Sequence, residues 1–345
     1  MNISSALPCR PEECDAFLSK PTAGAIEALG RLDGDVMIVG AGGKMGPTLA
    51  LMAARAQAEL GRNRRVTAVS RFSNAASRRL LEDAGIATIS CDLLDRAAVA
   101  ELPDCENVIF LAGQKFGTSE GPERTWAMNT LVPANVAERF PASRTVAFST
   151  GCVYSFASIF SGGSREDSPK EPTGDYANSC LGRERIFEFA SGQRGTPVCL
   201  FRLNYAIDFR YGVLLDLALK VHEGRPVDVT TGNVNVIWQG DANARALQSL
   251  EIAASPARAI NITGPETVSI RDTALRFGRI FGREPEFSGV EAETSWLNNA
   301  GESFRLFGYP EVALDDMIAW TAAWIAEGGA TLGKPTHFET RSGKF

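Results

Sequence analysis

Glycines 40, 43 and 46 stand at Gly-x-x-Gly-x-x-Gly spacing within Gly40-Ala41-Gly42-Gly43-Lys44-Met45-Gly46. The run follows the apolar stretch Asp35 to Val39 and opens an Ala- and Leu-rich stretch, Met45 to Leu60. Between a strand and a helix such glycines permit a tight turn, close approach of backbone to a diphosphate, and close packing of helix on strand. The helix start adds free amides and a partial positive charge, so the expected ligand is the diphosphate of a dinucleotide, with Lys44 and Met45 beside it. After the next apolar run, where a carboxylate would bond the ribose hydroxyls of NAD, the chain reads Ser70-Arg71-Phe72. An arginine and a hydroxyl there suit a 2′-phosphate, which points to NADP. NAD stays as the alternative, with Arg71 a solvated surface cation. His222 and His337 are the only histidines, and Cys9 and Cys14 are two thiols without further partners. No metal site is expected from them.

The elements that must position these residues alternate. Apolar or β-branched runs at Asp35 to Val39, Arg65 to Ser70, Ala87 to Cys91, Asn107 to Leu111, Thr145 to Ser149 and Pro197 to Leu203 are separated by amphipathic helical stretches. Continuous apolar strands between helices predict a parallel sheet buried on both faces. Pro47 falls in the first turn of the first helix, where its missing amide costs no hydrogen bond. The fold class expected is α/β: a Rossmann doubly wound parallel sheet with a smaller C-terminal substrate-binding lobe. Residues 1–34 read as an N-terminal extension with a short helix at Ala23 to Leu32, and 35–205 as the dinucleotide-binding domain. Residues 206–345 read mainly as the lobe and a tail, with 235–264 returning to the first domain. Helices are predicted at Gly212 to Glu223, Ala242 to Ala254, Ile270 to Phe281 and Leu314 to Glu327, and a strand at Ala259 to Ile262. Trp320 and Trp324 share a face of the last helix and read as core. The polar tail Gly333 to Phe345 reads either as an arm on a neighbouring subunit or as a frayed terminus.

Bulk properties narrow the partners. A net charge of -6 on 345 residues offers no counterion-release gain, so neither nucleic acid nor an anionic membrane is expected and a small molecule is. No run approaches the roughly 20 apolar residues of a membrane span. The first twenty residues lack the basic and apolar regions of a secretory signal. Seven scattered cysteines read as reduced thiols, and the expected location is the cytoplasm.

From Gly40 to about Ile280 the order of motifs resembles the extended short-chain dehydrogenase/reductase superfamily, the NAD-dependent epimerase/dehydratase group. Cys91-Asp92-Leu93 resembles its Asp-Leu pair beside the adenine, and Leu111-Ala112-Gly113 its loop over the cofactor. Asn129 matches the helix asparagine that buttresses the site. Phe148-Ser149-Thr150-Gly151-Cys152-Val153-Tyr154 resembles the fifth-strand segment, which makes Thr150 the hydroxyl that polarises a substrate carbonyl. Glu166 and Pro172 precede Tyr176 as in the family, and Arg202-Leu203-Asn204 resembles its sixth-strand Arg-x-x-Asn region. Tyr176 then becomes the general acid/base, and Asn204 a cofactor-side residue. The resemblance also implies a homodimer paired through helices near Glu123 to Arg139 and Ser179 to Gly192.

One position departs from the family's Tyr-x-x-x-Lys: Tyr176-Ala177-Asn178-Ser179-Cys180 carries a thiol where the lysine would stand. A spacing of four puts both side chains on one helix face, where a lysine could hold the ribose and stabilise a tyrosinate. A thiol brings no positive charge. Lys44, Lys115 and Arg183 are candidate substitutes, with Lys115 preferred because its loop borders the substrate. Two functions follow. The first is NAD(P)-dependent oxidoreduction or epimerisation at a hydroxyl or keto carbon of a sugar, sugar acid or small polyol. The second is a non-catalytic NADP-binding protein, a sensor or a structural-cofactor protein. Thr230 to Gln239 lacks basic residues that would announce a nucleotide diphosphate, which favours a small polyol, sugar acid or lactone.

Overall fold

The computed structural model describes residues 10–115, 117–118 and 120–343. Seven parallel strands form its centre: β1 (Val36–Val39), β2 (Val66–Ser70), β3 (Ala87–Ser90), β4 (Asn107–Phe110), β5 (Arg144–Thr150), β6 (Val198–Leu203) and β7 (Arg258–Ile262). They lie in the order β3-β2-β1-β4-β5-β6-β7, so the winding reverses between β1 and β4. At that switch point the chain leaves β1 for the glycine turn and β4 for Leu111 to Gly113, and a crevice opens beyond the strand ends.

All four residues of β1 and of β4 are buried because both faces of the sheet are covered. Strand alternation sends Ile38 and Ile109 to one face and Met37, Val39, Val108 and Phe110 to the other. The first face packs on the helix Gly46–Glu59 through Leu49, Met52 and Ala53, the second on Val132, Val136 and Phe187. A second core belongs to the lobe, where helices Val213–Glu223, Ile270–Phe281 and Leu314–Ala326 join through Leu217, Phe277 and Ile318. Trp324 is buried there, and Trp320 packs edge-on to Phe17 and Trp238.

Four details differ from the sequence reading. The N-terminal segment is built into both cores: helix Pro11–Leu18 contributes Cys14 and Leu18 to the lobe, and helix Ala23–Arg31 contributes Ala25 and Leu29 to the sheet. The helix expected at Ala242 to Ala254 instead spans Gln239–Gln248, where the polar Gln239 and Asn243 are buried and donate to Thr48 Oγ1. The helical stretch from Glu123 to Arg139 is interrupted, running as Pro122–Trp126, a π turn at Ala127–Leu131, then Val132–Arg139. The described part of the tail folds onto its own chain and buries Phe338 in the lobe core.

Six cysteines among the described residues are buried and free; Cys9 lies outside the described residues. No described helix is long and apolar enough to cross a membrane.

Candidate active site

The three spaced glycines of the turn differ in how much room surrounds them. Gly40 sits at φ +94°, and a Cβ there would come within 2.5 Å of the Ala112 amide nitrogen. At Gly46 a Cβ would lie 2.4 Å from the Ala41 carbonyl oxygen, so helix and strand approach only because it is glycine. Gly43 is different. A Cβ there would meet only Gly40 O at 3.4 Å, which leaves this residue open toward the crevice. The helix Gly46–Glu59 has no side-chain cap at its N-terminus. Its Gly46 end borders a cavity of about 300 Å³ that Gly40, Gly43, Met45 and Gly46 line on one side. Backbone donors at an uncapped helix start, with glycine clearance above them, fit a diphosphate.

Lys44 lines the same cavity. Its ammonium donates to Ala206 O at 3.1 Å, stands 3.7 Å from Asp208 Oδ2 and lies 4.4 Å over the Tyr211 ring. It ties the turn to the lobe. Burial lowers its pKa, and Asp208 opposes that effect.

Tyr176 enters the cavity from the first turn of the long helix Gly174–Arg194 and Thr150 from the end of β5. The two hydroxyls open on the same cavity, and the Cys152 amide donates to Thr150 Oγ1 at 3.2 Å. Burial, then the neighbouring thiols Cys180 and Cys152, hold the Tyr176 phenol well above its usual pKa; the Arg183 charge and the Thr150 hydroxyl act in the opposite direction. The phenol keeps its proton at neutral pH. Cys180 is pushed up to about 11 by burial and is no ready nucleophile.

Asn129, on the π turn, is fully buried and accepts at Oδ1 from the Gln114 amide (3.0 Å) and Arg183 Nη2 (2.6 Å). Its Nδ2 donates to Gln114 O and Ser179 Oγ, binding the loop after β4 to the tyrosine helix. An irregular turn inside a helix is a common device for aiming one such side chain. Leu111, Gly113 and Lys115 line the cavity, whereas Ala112 packs beneath Gly40. Lys115 donates to Thr336 O at 3.1 Å, and burial lowers its pKa. Asn204 lines the same cavity, with its Nδ2 donating to Trp296 O.

Other expected residues lie outside this cavity. Ser70 Oγ stands where a Cβ on Gly42 would come within 2.5 Å, and Arg71 is exposed next to it. Asp92 is exposed with Oδ1 accepting from the Leu94 amide, and Leu93 packs in the core.

Cys152, Tyr205, Tyr211 and Thr336 also line the cavity, and the motifs in the sequence do not point to them. Tyr205 carries a usable signal, since it directly follows Asn204 at the end of a strand. Thr336 carries none: it arrives 160 residues after Tyr176 and is placed by Asp216, whose Oδ2 accepts from its amide and hydroxyl at 2.8 and 2.6 Å.

No family model matches the chain, and no curated protein matches it in sequence. Solved structures do. A dTDP-glucose 4,6-dehydratase from Streptomyces venezuelae with NAD bound superposes with a TM-score of 0.72 at 18% identity, over 85% of this chain and 97% of that one. The Bordetella bronchiseptica enzyme WbmG with NAD and UDP gives 0.71 at 19%, over 88% and 99%. A UDP-glucuronic acid 4-epimerase from Bacillus cereus in complex with NAD gives 0.69 at 19%, over 85% and 99%. The likeness is one of fold. The α/β architecture expected from the order of apolar runs is the one these enzymes share.

Proposed function

We propose that the chain is an NAD(P)-dependent oxidoreductase or epimerase acting on a hydroxyl or keto carbon of a sugar, sugar acid or related small polyol. The observation that carries the proposal is that Thr150 and Tyr176 open on the same cavity as the uncapped, glycine-bordered helix start. A nicotinamide cofactor bound there supplies the acceptance and return of a hydride. Gly40, Gly43, Lys44, Met45 and Gly46 would hold its diphosphate. Tyr176 holds a proton and delivers it to a substrate oxygen, and Thr150 donates to that same oxygen and orients it. Lys115 places a cation beside the substrate space and fixes the backbone of Thr336. Ser70, Arg71, Asp92, Leu93 and Asn204 belong to the proposed cofactor contacts. An arginine in place of a carboxylate after β2 supports NADP over the NAD bound in the structural neighbours.

Several observations support a small substrate. Thr336 walls the cavity, while Lys44 and Lys115 are both engaged with backbone carbonyls and form no basic cluster for a second diphosphate. A homodimer is part of the proposal. Trp126, Leu131 and Phe189 are exposed on the two helical segments that flank β4 and β5, and Leu131 and Phe189 are more than half accessible. Free buried thiols suit a reducing cytoplasm.

The experiment is direct titration of the purified chain with NADPH and NADH, followed by nicotinamide absorbance against keto sugars and sugar lactones. Turnover is expected, with NADPH preferred. Tyr176→Phe should lower kcat by about a hundredfold or more, with NADPH affinity within twofold of native. Binding with no consumption across the panel would favour the alternative, a non-catalytic NADP-binding protein, which Cys180 in the lysine position motivates.

A further inference from the structure

We propose that Arg183 is the electrostatic partner of Tyr176, a positioning residue set two helical turns beyond the tyrosine that supplies the positive charge the thiol at position 180 cannot. The inference rests on the oxidoreductase reading above and assigns a further residue to that site.

Residues 176, 180 and 183 share one face of the helix Gly174–Arg194 because offsets of four and seven return to nearly the same direction. Cys180 is 1% exposed and short. Arg183, 6% exposed, runs along the cavity floor over the Phe110 ring, with its Nη1 on Phe148 O at 2.7 Å and its Nη2 on Asn129 Oδ1 at 2.6 Å. Both partners are neutral. Among the described residues no carboxylate is ion-paired with Arg183: Glu184, next along the chain, is paired with Arg202. Arg183 Nε is buried and has no hydrogen-bond partner. A buried guanidinium held by neutral oxygens is costly unless negative charge comes to it.

The surroundings make room for this arginine in particular. A Cβ on Gly113 would lie 2.3 Å from Arg183 Nη2 and 2.9 Å from Asn129 Oδ1. Gly113 and Asn129 thus form one fitted set around the guanidinium. The Arg183 charge favours an ionised Tyr176, while the charge of Lys115 acts on Cys152 and Cys180. When Tyr176 gives up its proton to a substrate oxygen, the negative charge left on the phenol develops in the cavity that this guanidinium also lines. When the reaction runs toward oxidation, Tyr176 must first lose that proton, and there the cation matters most.

The test is the pH profile of kcat in the oxidative direction, measured on the full chain with NADP⁺ and the alcohol whose carbonyl form the native protein reduces. Arg183→Met should move the midpoint of the alkaline rise upward by at least one pH unit, which is a tenfold or greater loss at pH 8. Arg183→Lys should recover part of it. Cys180→Lys added to Arg183→Met should return the midpoint toward native, since an ammonium then stands one turn from Tyr176. Arg183→Gln, which keeps hydrogen-bonding capacity without charge, replaces Arg183→Met if that variant does not fold. An equal loss of kcat at every pH, with no shift and no rescue by the added lysine, would show a purely structural role and overturn the proposal. NADP⁺ affinity, read separately by fluorescence, should stay within threefold throughout. A native chain that binds cofactor but turns over no substrate would remove the oxidoreductase reading and this inference with it.

Discussion

Arg202 and Glu184 form a bidentate ion pair from which water is almost wholly excluded: their side chains are 1% and 0% exposed, and two N···O distances are 2.9 Å. Ser149 Oγ donates to the same carboxylate at 2.6 Å, and Arg202 Nη1 donates to the Tyr154 phenol and to Glu166 O. The Tyr154 phenol, pushed up to about 12 mainly by burial, remains a neutral partner. Every strong donor in this group has an acceptor, and that is the condition under which a buried pair is tolerated. The pair also fastens the tyrosine helix to β5 and β6, so Tyr176 and Thr150 keep their separation through it. Glu184→Gln leaves the guanidinium buried without its counter-charge. The expected cost is about 3–5 kcal/mol in urea unfolding at pH 7, and a loss below about 1 kcal/mol would mean that water reaches Arg202 in the variant.

At the scale of elements, the contact between the first helix and the first strand is set by a missing side chain. Gly46→Ala places a Cβ 2.4 Å from a backbone oxygen, and backbone cannot rotate away as a flexible side chain would. The helix start must shift. A destabilisation of about 1–3 kcal/mol is expected, with NADPH affinity reduced at least tenfold. Gly192→Ala is the control, because a Cβ there meets nothing within 4 Å and alanine favours the helix. A cofactor titration in which the two variants behave alike would detach Gly46 from the binding site. The glycine turn and all seven strands are legible in the sequence because each rests on local chemistry: a short apolar run, a turn residue, a helix-compatible stretch. Asn129 is reached through its family resemblance, but its π turn is not, since no residue type marks that backbone. The start of Gln239–Gln248 is hidden for a related reason. Gln239 to Asp241 lie before the predicted start at Ala242, and burial against partners such as Thr48, some 190 residues from Gln239, extends the helix back to them. Lys44 reads as a phosphate contact from its position in the turn and does line the cavity, but its contacts to Ala206 and Asp208 are beyond the reach of spacing arguments.

Over the whole molecule, the two cores are joined by segments from both ends of the chain. The N-terminal helices enter each core, and the tail crosses from lobe to sheet domain along the cavity mouth. Its path is continuous: the Leu332 amide donates to Arg210 O, Thr336 is held by Asp216 and Lys115, Glu339 is paired with Lys220, and Arg341 donates to Thr294. Its described part reaches Gly343, which packs on Gly174 at the start of the tyrosine helix. The strap lines the cavity at Thr336, and Phe338, buried in the lobe core, is its apolar anchor. A chain ending at Ala330 keeps the Trp324 Nε1 bond to Ala330 O and so keeps the last helix closed. It loses the Phe338 anchor, whose burial is worth about 1.5–3 kcal/mol, so its melting temperature should fall by a few degrees. Its KM for the small carbonyl substrate should rise at least tenfold while NADPH affinity stays within threefold, because Thr336 and not the glycine turn is what has been removed. A truncated chain with native KM would place the substrate away from Thr336. A KM and a cofactor affinity that worsen together would mean that the tail holds the two cores in register and does not wall the site.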